Sequence, residues 1–217
     1  MKWSEQAWER IVPIYKKILA MPFNKELSNG TLPKEKFIFY LAQDAYYLLE
    51  FGRTLSTISG RMQNADWVMA FASFSTGAIF AERSLHESYF TEFGLANHVQ
   101  PTPSTLLYTS YILSQAAYAN VEIAVAAVLP CFWIYKAVGD HILARQKGEA
   151  NPYKRWIDMY AGVEFAVAVE KAIDIADQLA VQANAATQQK MLEAFEMATR
   201  LEWMFWNSAY ELEKWKI

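Results

Sequence analysis

The sequence predicts an all-α fold, a single-domain helical bundle. Three observations predict it. Apolar residues recur at helical spacing along most of the 217 residues. No stretch alternates with period two between turn pairs. Gly and Pro, 8 and 7 in number, are too sparse and scattered for a linker or a disordered region.

The elements follow in order. Trp3, Ala7, Ile11, Ile14 and Leu19 fit one face of a first helix, bent near Pro13. Asn29-Gly30 is a turn signal, and Pro33 suits a helix first position. A helix from Lys34 to about Gly60 places Phe37, Leu41, Asp44, Leu48 and Phe51 on one stripe. Asn64 is placed to cap a helix that runs to Phe93 and stops at Gly94. Pro101-Thr102-Pro103-Ser104 reads as a loop ending in a cap, followed by a helix to about Ala119. Asn120 would cap the next helix, closed by Gly148. Asn151-Pro152 starts a short helix toward Tyr160, Gly162 allows a bend before a run to about Gln182, and the last helix spans roughly Thr187 to Trp215. About eight helices joined by short loops result, with no internal repeat and no break in composition.

Net charge is −3, with both signs interspersed, so no basic stripe invites nucleic acid. The single Cys cannot close an internal disulfide, and the Met-Lys-Trp-Ser-Glu start does not read as a signal peptide. A cytoplasmic location without a membrane partner is expected, since no uncharged apolar run reaches the roughly 18–20 residues of a span.

That one cysteine lies in Leu129-Pro130-Cys131-Phe132-Trp133-Ile134-Tyr135, within a run from Ile123 to Tyr135 that carries no charge. If the run is helical, Pro130 lacks an N–H and crowds the Ala126 carbonyl. Cys131 and Tyr135, four residues apart, share a face. The stretch also suits a plain core helix with a buried thiol. Two carboxylates stand in apolar company. Asp44 lies on the inward stripe, with Tyr47 three residues on, and needs a partner or a proton there. Glu202 stands among Leu201, Phe205 and Trp206, where its pKa would be raised, unless it faces water instead. Tyr108, Tyr111, Tyr135 and Tyr160 either line one pocket or pack as core.

Metal chemistry is poorly supplied. Glu82 and His86 sit at i,i+4 and Asp140-His141 offers further donors, but no His follows residue 141. Phosphate-loop, dinucleotide, zinc-protease and calcium-loop patterns are absent.

Five motifs then resemble one family in the same order. They are Gln43-Asp44-Ala45-Tyr46-Tyr47-Leu48, Pro101-Thr102 with Tyr108-Thr109-Ser110, Leu129 to Tyr135, Tyr160-Ala161-Gly162, and Glu202-Trp203-Met204-Phe205-Trp206 with Ala209-Tyr210. Together they resemble the TenA family (thiaminase II, aminopyrimidine aminohydrolase), in its cysteine-bearing branch. One departure is visible: Ala161 stands where the family often has Gly. The resemblance implies a heme-oxygenase-like fold, usually a homotetramer. It implies hydrolysis of 4-amino-5-aminomethyl-2-methylpyrimidine to the hydroxymethyl pyrimidine and ammonia in thiamin salvage, with thiamin as a further substrate. It implies Cys131 as nucleophile, Glu202 as proton donor to the ring, and Asp44 on the amidine edge. Tyr47, Tyr108, Tyr135, Tyr160 and Phe205 would bind the substrate, with no metal or organic cofactor. Two alternatives remain open, a non-catalytic binder of such pyrimidines and a metal-dependent oxidase built on Glu82, His86 and His141.

Overall fold

The computed structural model describes residues 1–93, 100–146 and 151–217, and at 81–88 and 90–93 only the backbone. Among them run nine helices: α1 (Trp3–Ala20), α2 (Pro22–Asn29), α3 (Lys34–Ser59), α4 (Ala65–Phe93), α5 (Pro103–Tyr118), α6 (Val121–Leu143), α7 (Lys154–Ala161), α8 (Val163–Gln182) and α9 (Ala185–Tyr210). Buried side chains from all nine join one contiguous apolar core.

Local chemistry sets the boundaries. Asn64 caps α4, its Oδ1 accepting from the amides of Asp66 at 2.8 Å and Trp67 at 3.1 Å. Asn184 caps α9 through the Thr187 amide. In the proline-rich loop it is Thr102 that caps α5, accepting from the Thr105 amide, and Pro103 takes the first helical position. Asn120 occupies the cap position of α6 without a side-chain cap bond. Pro33 is likewise one residue earlier than expected, at the N-cap of α3.

Three boundaries differ from the sequence expectation. The first helical stretch is two helices, because Met21 is extended and Pro22 begins α2 afresh. Gly30, at φ 71°, then ends α2 in the left-handed conformation that the Asn29-Gly30 pair announces. The last helix stops at Tyr210, five residues before Trp215. α6 ends at Leu143, ahead of the expected stop at Gly148; Gly148 and Gly94 themselves lie outside the described residues.

α6 is the centre of the molecule, packed against α2, α3, α5, α7, α8 and α9. Pro13 and Pro130 both sit inside helices without ending them. By length and composition α6 is apolar enough to cross a membrane, with a mean hydropathy of 1.7, yet 72% of that window is buried inside the protein. Burial against other helices accounts for its composition. Gly139 of α6 permits one close approach: a Cβ there would lie 2.8 Å from the Tyr160 carbonyl carbon and 2.9 Å from the Ala161 nitrogen. That approach brings the end of α7 onto α6 and Tyr160 toward Tyr135.

Candidate active site

Four helices contribute to one buried polar neighbourhood. α3 brings Asp44 and Tyr47, α5 brings Tyr108, α6 brings Cys131 and Tyr135, and α9 brings Glu202 and Phe205. Glu202 is fully buried, so the reading in which it faces water fails. The Tyr108 hydroxyl donates to Glu202 Oε1 at 2.6 Å. Glu202 Oε2 is buried with no hydrogen-bond partner. Burial pushes the Glu202 pKa up to about 8, against the pull of the Tyr108 bond, and the Asp44 charge adds to the rise. At neutral pH this carboxyl is protonated.

Cys131 is 8% exposed, and burial, followed by the charge of Glu202, holds its thiol well above the usual cysteine range. Opposing this, the Tyr47 hydroxyl stands close enough to favour the thiolate. That hydroxyl is itself buried without a hydrogen-bond partner. Asp44 is 2% exposed, and its charge acts on Cys131, Glu202, Tyr40 and Tyr160. The thiol and both acids therefore feel one another across the space where the helices meet.

The aromatic rings fall into two groups. Tyr47 lies 4.9 Å from Tyr108 and 5.5 Å from Phe205, around Glu202. Tyr135 lies 4.7 Å from Tyr160 and 4.7 Å from Trp206. Tyr40 joins them, with its ring 5.8 Å from Phe205 and its hydroxyl 3.4 Å from that of Tyr135. Trp156 Nε1 donates to the Tyr40 hydroxyl at 3.1 Å. Tyr40 and Trp156 are not among the residues the sequence points to, and Trp206 enters there only as a neighbour of Glu202 and part of its motif. A signal existed for Tyr40, which stands four residues before Asp44 and so on its face. Trp156 carried none, since its role depends on how α7 docks.

Tyr111 is a correction. It is partly exposed and lines a separate groove with Gln115 and Lys190, because three residues from Tyr108 the helix has turned it outward. Of the alternative metal donors, the Glu82 and His86 side chains lie outside the described residues, as does His98. His141 stands near the end of α6, its Nδ1 3.0 Å from Arg145 Nη1.

A cavity of about 1110 Å³ reaches this neighbourhood from outside. Leu48, Phe51, Phe74, Cys131, Phe132 and Tyr160 are among its walls, whereas Asp44, Tyr47, Tyr108 and Glu202 are not. The sulfur thus lies at the boundary between an open apolar cavity and a buried acid–phenol cluster.

Comparison with known proteins first fixes the class of fold. A domain from Shewanella denitrificans OS217, described as having a heme oxygenase-like fold, superposes with a TM-score of 0.77 at 11% identity, covering 96% of this chain and 92% of its own. The bundle is an all-α, heme-oxygenase-like fold.

The family model of the TENA/THI-4/PQQC family matches residues 8–212, and the chain belongs to that family. An aminopyrimidine aminohydrolase of Bacillus subtilis (strain 168) is 30% identical over 219 residues, covering 99% of this chain and 92% of that protein. A TenA homologue from P. horikoshii OT3 superposes with a TM-score of 0.88 at 25% identity, over 97% of this chain and 99% of its own. The thiamine biosynthesis multifunctional protein ThiED of Corynebacterium efficiens is 33% identical over 216 residues, covering 93% of this chain. The chain spans only 29% of that longer protein.

Proposed function

We propose that this protein is an aminopyrimidine aminohydrolase. It hydrolyses 4-amino-5-aminomethyl-2-methylpyrimidine to the hydroxymethyl pyrimidine and ammonia, and takes thiamin as a further substrate. The family membership and the named relative support the activity. The single observation that carries the mechanism is the geometry of Glu202. One buried oxygen takes the Tyr108 hydroxyl at 2.6 Å, and the other is left without a partner. An unpartnered buried carboxyl oxygen costs free energy unless a substrate atom completes it.

The roles follow from the protonation states. The pyrimidine lies in the aromatic neighbourhood of Tyr47, Tyr108, Tyr135, Tyr160 and Phe205, with Asp44 on its amidine edge. Cys131 adds to the ring as a thiolate, which a buried thiol forms only in the same step. Glu202 gives its Oε2 proton to a ring nitrogen as the sulfur adds. The thiol gives up its proton to the phenol cluster as the sulfur adds, and Tyr108, already donating to Glu202 Oε1 at 2.6 Å, hands a proton on to the carboxyl. The carboxyl thus ends the step neutral, and no net charge is created in a dry site. With the ring electrons loosened, the 5-methylene releases its amine, carried as the ammonium, as neutral ammonia, and water adds to the methylene and gives up a proton. Loss of the sulfur then restores aromaticity and returns the protons.

The substrate is a small molecule, and no cofactor is part of the reaction written here. One domain spans 1–217, consistent with the contiguous core. A homotetramer, drawn from resemblance to the family, and a cytoplasmic location, where a lone thiol stays reduced, complete the reading. In the test, Cys131→Ser and Glu202→Gln are assayed for ammonia release from the aminomethyl pyrimidine, with circular dichroism as the folding control. The expected result is a folded, inactive protein in both cases. Full activity in either would overturn the mechanism, and calorimetric binding without turnover by the parent protein would favour a binder over an enzyme.

A further inference from the structure

The segment after α9 contains a conformation that local chemistry disfavours. Leu212 has φ 52°, the left-handed region that side chains with a Cβ rarely adopt. It serves a helix stop in which the Leu212 amide donates to the Ala209 carbonyl at 3.3 Å and the Glu213 amide to that of Ser208 at 2.9 Å. That crossed pair is a Schellman turn, where glycine is usual in the left-handed place. Strain of this kind persists only where surrounding contacts hold it.

Those contacts are made by the residues that follow. Glu213 turns onto the start of α5, its carboxylate accepting from the Ser104 amide at 2.9 Å and from the Ser104 hydroxyl at 3.1 Å. Trp215 Nε1 donates to the Pro101 carbonyl at 2.9 Å. The buried Gln43 amide also holds the same loop. Its Nε2 donates to the Gln100 carbonyl at 3.2 Å, and its Oε1 accepts from the Thr102 amide at 2.9 Å. The start of α5 is therefore gripped between the residue preceding Asp44 and the segment following α9.

Ser104 and Tyr108 are one helical turn apart, about 6 Å along the axis. Glu202 is on α9, the helix that the Glu213 segment follows. The Glu213–Ser104 contact and the Tyr108–Glu202 bond thus both tie α5 to α9 and the segment that follows it, one turn apart on α5 and more than two turns apart on the α9 side. We infer that Glu213 is a positioning residue, whose clamp on Ser104 holds α5 in the register that keeps the Tyr108 hydroxyl on Glu202. This rests on the proton-transfer role given to Glu202 above.

The test compares Glu213→Ala, Glu213→Gln and Leu212→Gly by kcat, KM, pH–rate profile and thermal midpoint. Glu213→Ala should lower kcat by about 10- to 100-fold, the range in which displacement of a reacting group acts, with KM little changed. Its basic limb should move to higher pH, because the Tyr108 bond holds the Glu202 pKa down. The other groups acting with Glu202, namely Asp44, Tyr40 and Tyr47 of α3 and Cys131 and Tyr135 of α6, are untouched. Glu213→Gln keeps one acceptor for the Ser104 amide and should recover part of kcat. Leu212→Gly relieves the strain without releasing the clamp and should keep the parent kcat. Should Glu213→Ala not fold, Ser104→Ala removes one of the two bonds and should shift kcat and the limb in the same direction by less. A lower thermal midpoint with the parent kcat and the parent limb would overturn the inference and leave Glu213 a mere fastener. An inactive Glu202→Gln beside an unaffected Glu213→Ala removes this inference alone, whereas an active Glu202→Gln removes the reading beneath it as well.

Discussion

Replacing Tyr108 by Phe deletes one hydroxyl and leaves the ring. Tyr108 and Glu202 are both fully buried and the bond between them is 2.6 Å long, so water does not take the hydroxyl's place. A hydrogen bond to a charged acceptor contributes about 1.5–3 kcal/mol and one between neutral groups about 0.5–1.5 kcal/mol. The bond therefore favours ionised over protonated Glu202 by about 1–1.5 kcal/mol, or about one pKa unit. Without it, Glu202 should rise from about 8 by that amount. Glu202 acts as an acid, so it is competent below its pKa, and activity is lost as pH rises through it. The basic limb of kcat/KM for ammonia release should accordingly move up by about one unit. The plateau should fall by about 100-fold, because the relay from the thiol is cut. An unmoved limb, or one shifted to lower pH, would refute the assignment of Glu202 as the proton donor.

Three further outcomes follow from the same site. The raised Glu202 pKa makes the fold less stable as pH rises from the unfolded value toward about 8, at up to about 1.4 kcal/mol per pH unit. Glu202→Gln should therefore melt higher than the parent at pH 8, with the gap closing toward pH 5; equal gaps at both values would contradict the buried, protonated carboxyl. Cys131 should react slowly with iodoacetamide at neutral pH and about tenfold faster per unit of added pH, with protection by the hydroxymethyl pyrimidine, whereas a fast reaction that is level from pH 7 upward would reveal a preformed thiolate. Gly139→Ala should cost about 1–3 kcal/mol and raise KM, since its Cβ presses on the backbone that carries Tyr160. An unchanged melting midpoint and KM would show that α7 yields freely.

Much of the fold was legible because helix signals are local. Asn64 at its cap and the Asn29-Gly30 stop each act within one turn of their own position. The extended Met21 was missed because the apolar pattern of the first stretch hides the break, although Met21-Pro22 is itself a boundary signal. The end of the last helix was missed for the opposite reason. Leu212 is no helix breaker, and only Ser104 and Pro101, far away in sequence, pull the chain off course. In the site, the inward stripe of α3 gave Asp44, and the apolar company of Glu202 gave its raised pKa. Tyr111 misled because three residues is close to a full turn but not quite, and on α5 the difference carries it to the surface. The bridging positions of Tyr40 and Trp156 arise from the docking of α7 against α3, which no single segment encodes.

The central claim is that a thiol on α6 and a carboxyl on α9 act on one ring between them. Diffraction from crystals soaked in the hydroxymethyl pyrimidine tests it most directly. The account predicts the ring in van der Waals contact with Cys131 Sγ, with one ring nitrogen within hydrogen-bond reach of the Glu202 oxygen that now lacks a partner. A ring bound in the outer cavity, with that oxygen still unpaired, would contradict it.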